Sequence, residues 1–158
     1  MAKLTAKEKK VLLATAKKIL TYKLMQSNGY KRLIKKAMDE TTKQLLAEIG
    51  ANELSDAESW SQKIEQLADG GRKSGRVSFL NQKVGLMMGV LGTRGFFEWA
   101  IIAEDETVED FAIQAANIGD LTTSEEWTRI ASDERLHVER MKKRSWVWKA
   151  GRWEVVAG

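Results

Sequence analysis

The chain has no cysteine, no proline and a single histidine among its 158 residues. The lack of cysteine excludes disulfides, thiolate metal sites and cysteine nucleophiles. Any metal would have to be held by oxygen and nitrogen, that is, by carboxylates and His137. The lack of proline removes the residue that most sharply breaks a helix interior. The twelve glycines fall mostly in a few clusters, so long helices joined by short loops are expected. Uninterrupted apolar sequence is also missing. The most apolar run, "VGLMMGVLGTRGFFEWAIIA" (84–103), carries Arg94 and Glu98. It reads as a buried helix or an association surface rather than a membrane span. The amino terminus "MAKLTAKEKK" has no apolar core behind its lysines and does not resemble a signal peptide. A cytoplasmic protein without membrane insertion is expected.

The length suits one domain with a sizeable core. Hydrophobic residues at 43% and charged residues at 30% match a soluble globular chain. The net charge of +4 hides a strong asymmetry. Residues 1–43 hold twelve Lys/Arg against three Asp/Glu, and residues 98–134 hold eleven acids against Arg129 alone. Residues 135–158 are basic again. Complementary solvated faces within or between bundles account for this pattern. Nucleic-acid binding is not expected, because no aromatic platform or reading motif accompanies the lysines.

Periodicity places four helices. Thr5-Ala6-Lys7-Glu8 forms a capping box that starts the first helix near Ala6. Its stripe runs through Leu12, Ala16, Ile19, Lys23, Tyr30 and Ile34, and Asn28-Gly29 should weaken or kink it. A turn over Met38–Thr42 leads to a second helix ending near Ala68, before Asp69-Gly70-Gly71. A third helix is expected at about 77–117, and a fourth, capped by Thr122-Thr123-Ser124-Glu125, to about Lys143. Residues 1–143 thus read as an all-α, antiparallel four-helix bundle. Residues 144–158 form an aromatic and basic tail with no assigned structure.

A shift of 81 residues aligns the two halves by chemical type. "IGANELSD" (49–56) falls on "IASDERLH" (130–137), so Glu53 meets Glu134 and Asp56 meets His137, while Lys23 meets Glu104. This suggests two pseudo-repeated helical hairpins. Lys23 and Glu53 are 30 residues apart, centred on the first turn, and Glu104 and Glu134 are 30 apart, centred on the second. At ~1.5 Å rise per residue, all four return to about one height in a bundle. Glutamates inside apolar stripes imply a positive partner, since burying a lone carboxylate costs several kcal/mol.

These residues resemble the ferritin-like superfamily, in particular rubrerythrins and the ferritin-like domains attached to vacuolar-iron-transporter-type membrane proteins. The resemblance spans about residues 10–143, and "SDERLHVERM" is its most specific part. That pattern places a Glu on helices 1 and 3 and a Glu-x-x-His on helices 2 and 4 around two irons. Position by position it implies metal ligation by Glu53, Glu104, Glu134 and His137, with Asp56 where a second histidine is expected. Lys23 stands where the helix 1 glutamate is expected. The resemblance implies iron or manganese (zinc is a further candidate) and, if the chain is an enzyme, a ferroxidase or rubrerythrin-type oxidoreductase; Lys23 among the carboxylates limits the expectation to at most about one ion per chain. Rubrerythrins also carry a cysteine-bound iron module, which this cysteine-free chain lacks. No transporter segment follows the fourth helix, so the 158 residues alone are not expected to carry iron across a membrane.

Three arrangements stay open from sequence. One ion can be held by Glu53, Glu104, Glu134 and His137 with help from Asp56. The site can be metal-free, with the Lys23 ammonium bridging Glu53 and Glu134 and the bundle serving as a structural or interaction protein. A shifted helix 1 register can instead turn Gln26 toward the acids. Glycines 85, 89, 92 and 95 suggest close helix contacts, and a homodimer or higher homo-oligomer is expected.

Overall fold

A computed structural model describes residues 3–36, 39–68, 77–143, 145–149 and 152–156, with backbone alone for 77–81, 145–149 and 152–156. Four helices dominate the described residues: α1 (Ala6–Lys36), α2 (Glu40–Leu67), α3 (Val77–Ala116) and α4 (Leu121–Lys142). A short antiparallel hairpin follows, β1 (Ser145–Lys149) and β2 (Arg152–Val156), with Trp148 level with Trp153. Among the described residues, four helices therefore account for most of the chain up to Lys142, and a two-stranded element that the helical patterning does not foresee follows. Met38 and the 69–76 loop, including the expected stop at Asp69-Gly70-Gly71, lie outside the described residues.

The helix starts follow local chemistry. The Thr5 backbone N–H donates to Glu8 Oε1 at 2.8 Å, and the Glu8 N–H donates to Thr5 Oγ1 at 3.1 Å, completing the capping box. Asp39 caps α2 by accepting from the Thr42 N–H at 2.7 Å. The α4 cap is Asp120, not the Thr122–Glu125 stretch; Asp120 accepts from both the N–H and the hydroxyl of Thr123. An ionised carboxylate two residues before Thr122 outcompetes the hydroxyls for the free N–H groups.

Asn28-Gly29 does not kink α1, which continues unbroken to Lys36. A Cβ on Gly29 would lie 2.8 Å from Phe97 Cζ and 2.9 Å from Phe96 Cε2. The glycine admits two phenyl rings to the α1 backbone, and their packing outweighs its low helix propensity. The irregularity occurs instead in α3, at Gly92, whose φ of 76° and ψ of 165° lie outside helical space.

Two apolar clusters fill the bundle. One joins Leu12, Ala16 and Ile19 to Trp60, Phe111, Ala115 and Trp127, and the other joins Met25, Tyr30 and Leu33 to Ile49, Phe96, Phe97 and Met141. Lys23 lies in sequence between the α1 segments of these clusters. Glu8 of α1 accepts from the Gly119 N–H in the turn between α3 and α4, and contacts between helices include Tyr30 with Phe97, Lys23 with Glu104, Arg135 with Glu109 and Lys142 with Asp105. The last two join the acidic 98–134 segment to the basic stretch that follows it.

The apolar run at 84–103 is not buried throughout. Val84, Phe96, Phe97 and Ala100 are buried, but Leu86, Val90 and Leu91 face outward. Residues 82–116 are long and apolar enough to cross a membrane by length and composition, and little of their most apolar window is buried.

Candidate metal centre

The buried centre is built from i, i+3 pairs. Residues three apart on a helix share a face, so α1 presents Lys23 with Gln26, α2 presents Glu53 with Asp56, and α4 presents Glu134 with His137. α3 contributes Glu104, and Trp60 extends the α2 stripe by one further turn. Lys23, Gln26, Glu53 and Glu104 are fully buried, and Glu134 nearly so.

Lys23 Nζ forms ion pairs with Glu134 and, at 3.0 Å, with Glu104 Oε1; Asp56 Oδ2 lies 4.0 Å away. The free oxygens of the two glutamates are also engaged. Gln26 Nε2 donates to Glu104 Oε2 at 2.7 Å, and Trp60 Nε1 donates to Glu134 Oε2 at 3.0 Å. Lys23 thus keeps its expected register, and Gln26, three residues further along α1, reaches Glu104 beside it without any shift of the helix. The lysine bridges Glu104 and Glu134, however, not Glu53 and Glu134.

Glu53 belongs to a second group. His137 Nε2 lies 2.9 Å from Glu53 Oε1 and 3.1 Å from Asp56 Oδ2. One ligand atom from each of Glu53, Asp56 and His137 falls within 4.8 Å of the other two. Glu53 Oε2 and Gln26 Oε1 are buried acceptors with no donor among the described residues. The five sequence-derived metal positions therefore separate: Glu53, Asp56 and His137 converge, while Glu104 and Glu134 are taken up by Lys23.

The charges adjust to this division. Burial works to lower the Lys23 pKa, but Glu104, Glu134 and Glu53 outweigh it and raise it, so the side chain is an ammonium. Glu104 is pushed up to about 7, chiefly by burial, against the pull of Lys23 and with Glu53 and Glu134 adding to the rise. Burial also works to raise Glu134, yet Lys23 and the Trp60 hydrogen bond prevail and hold it below its ordinary value. For His137, burial is outweighed by the Glu53 hydrogen bond and the nearby carboxylates, and its pKa is raised. His137 Nε2 faces Glu53 and Asp56 together, so a proton carried there, or a metal ion in its place, would be shared with both carboxylates.

Trp60 and the choice of acids for Lys23 escaped the sequence reading. Trp60 follows Glu53 and Asp56 at helical spacing on α2 and is apolar apart from its indole N–H. A buried indole N–H usually needs an acceptor, which was the available signal that it would reach one of the glutamates. No family model, no curated protein and no solved structure matches the chain.

Proposed function

We propose that this protein is a ferritin-like bundle that binds one divalent cation, iron or manganese, through Glu53, Asp56 and His137. In this reading the Lys23 ammonium replaces a second metal beside Glu104 and Glu134. The observation that carries the proposal is the convergence of the three ligand atoms within 4.8 Å, with the second oxygen of Glu53 buried and unpartnered. Two carboxylates and an imidazole suit iron, manganese or zinc by donor type. Charge supports the count. Four carboxylates face one ammonium, an excess that one divalent cation largely offsets and two would reverse.

The ferritin-like assignment draws support from the order of contacts. Going up α1, Lys23 and then Tyr30 meet Glu104 and then Phe97, which descend α3. Along α3, Asp105 and then Glu109 meet Lys142 and then Arg135, which descend α4. Antiparallel pairing and the frame that matches Glu53 to Glu134 both agree with this order. A di-iron ferroxidase would need a second metal among Glu104 and Glu134, where the ammonium now lies, so the proposed role is uptake of a single ion for storage, sensing or delivery.

The test is calorimetric titration of chelator-treated protein with Mn(II), and with Fe(II) under anaerobic conditions. One ion per chain is expected, lost in His137→Ala and retained in Glu134→Gln. The sequence pattern alone favours Glu134 over Asp56 as the stronger ligand, and the geometry favours the opposite order. Two ions per chain would restore the di-iron reading. Absence of binding would favour the metal-free structural bundle, for which the Lys23 ion pairs are the supporting observation.

A further inference from the structure

The metal centre leaves one end of the bundle unused. On α4, Trp127 stands seven residues, about two turns, before Glu134. There the start of α1, the end of α2 and the start of α4 surround a cavity of about 680 Å³. Leu4, Leu67 and Trp127 give it an apolar lining, while Lys3, Lys9 and Glu126 bring charge to it. Its size is that of an ordinary small-molecule site, in which a few polar groups set in an apolar wall orient the ligand.

One polar group in this wall lacks a partner. Trp127 is 2% exposed, and its indole N–H meets no acceptor among the described residues. A buried donor left unpaired costs about 1–3 kcal/mol, and a buried indole N–H usually finds an acceptor. Trp60, buried likewise, meets that need at Glu134 Oε2. For Trp127 the missing acceptor and the cavity coincide, which points to a ligand that supplies one.

The charges around the cavity select the ligand. The Lys3 backbone N–H donates to Thr123 Oγ1 at 3.1 Å, tying the segment before α1 to the first turn of α4. Asp120 is committed to the same turn, because its Oδ2 accepts from both the N–H and the hydroxyl of Thr123. The remaining carboxylate, on Glu126, is exposed. Two ammonium groups, an indole N–H and the positive end of α4 therefore favour an anion. The two leucines and the indole ring call for an apolar body behind it. A neighbouring, more open hollow of about 430 Å³ shares Lys9 and Leu67 with the first and adds Leu13 and Lys17. It continues the pairing of leucine with lysine along α1 and gives an extended chain room.

We propose that this cavity binds a small monocarboxylate with an apolar chain, its carboxylate accepting from the Trp127 indole N–H and pairing with Lys3 and Lys9. The site does not depend on the metal-binding reading. The experiment is a titration of the isotope-labelled full chain with sodium octanoate, following the indole N–H signals by NMR. The Trp127 signal, assigned by through-bond NMR, is expected to move downfield and to saturate. Lys3→Gln and Lys9→Gln are each expected to weaken binding about twofold to fivefold, the range of an exposed ion pair. Helical circular dichroism checks that both variants keep the fold. Octanamide, with the same chain and no charge, is expected to bind at least about tenfold more weakly.

A Trp127 signal that stays fixed, octanamide binding as tightly as octanoate, or affinity unchanged in both lysine variants would overturn the inference. A shift that never saturates would do the same, since it marks contact at high concentration only.

Discussion

Lys23 determines how the centre behaves. It brings a fixed positive charge to Glu104 and Glu134, which are otherwise buried. Removing one partner of a buried ion pair leaves an uncompensated charge and typically costs about 3–5 kcal/mol. Lys23→Met, which keeps most of the volume, is therefore expected to lower stability by about that amount at pH 8, read by urea unfolding. The loss should shrink near pH 5, where the stranded carboxylates take up protons. The wild type has a pH signature of its own. Glu104 is raised from 4.5 to about 7 and His137 is raised from 6.5, so each stabilises the fold when protonated and loses that contribution as pH rises through its folded value. Glu134 is lowered, so its contribution is present above its unfolded value and disappears as pH falls through the folded one. Metal-free protein is expected to be most stable at about pH 5–6 and measurably weaker at pH 8. Constant stability between those pH values in thermal unfolding would contradict the shifts. Added Mn(II) should move the optimum upward, because the metal competes with the proton on His137.

Among the elements, helix existence and extent were legible because period-3.6 stripes and capping residues act over a few neighbours. The α1 start at Ala6 follows from Thr5 and Glu8 alone. Features set by distant parts of the chain were not legible. Asn28-Gly29 carries the local signature of a kink, yet its partners, Phe96 and Phe97, come from α3. Gly29→Ala makes the point measurable. Higher helix propensity would stabilise an exposed site by about 1 kcal/mol. Here the added methyl must displace two buried rings, and overpacking of this kind costs about 1–3 kcal/mol. A net loss of stability in urea unfolding is expected, whereas a gain would mean that the α1–α3 contact is looser than described. The exposed start of α3 was legible only as one of two alternatives, since an apolar run does not say whether its partner lies in the same chain.

On the scale of the molecule, helical rise carried the sequence reading furthest. Spacing about the two turns brought Lys23, Glu53, Glu104 and Glu134 to one height, and the structure gathers them there with Asp56 and His137. Rise fixes height but not which acid an ammonium reaches across the core, so the division of the centre between Lys23 and His137 had to come from the packed helices. That division is the basis for the proposed one-ion site. The most direct test is a crystal of the protein soaked in Mn(II) and measured by anomalous diffraction. One peak per chain, bounded by Glu53, Asp56 and His137, is expected, with Lys23 still paired to Glu104 and Glu134. Two peaks, or a single peak between Glu104 and Glu134 with Lys23 displaced, would contradict the account.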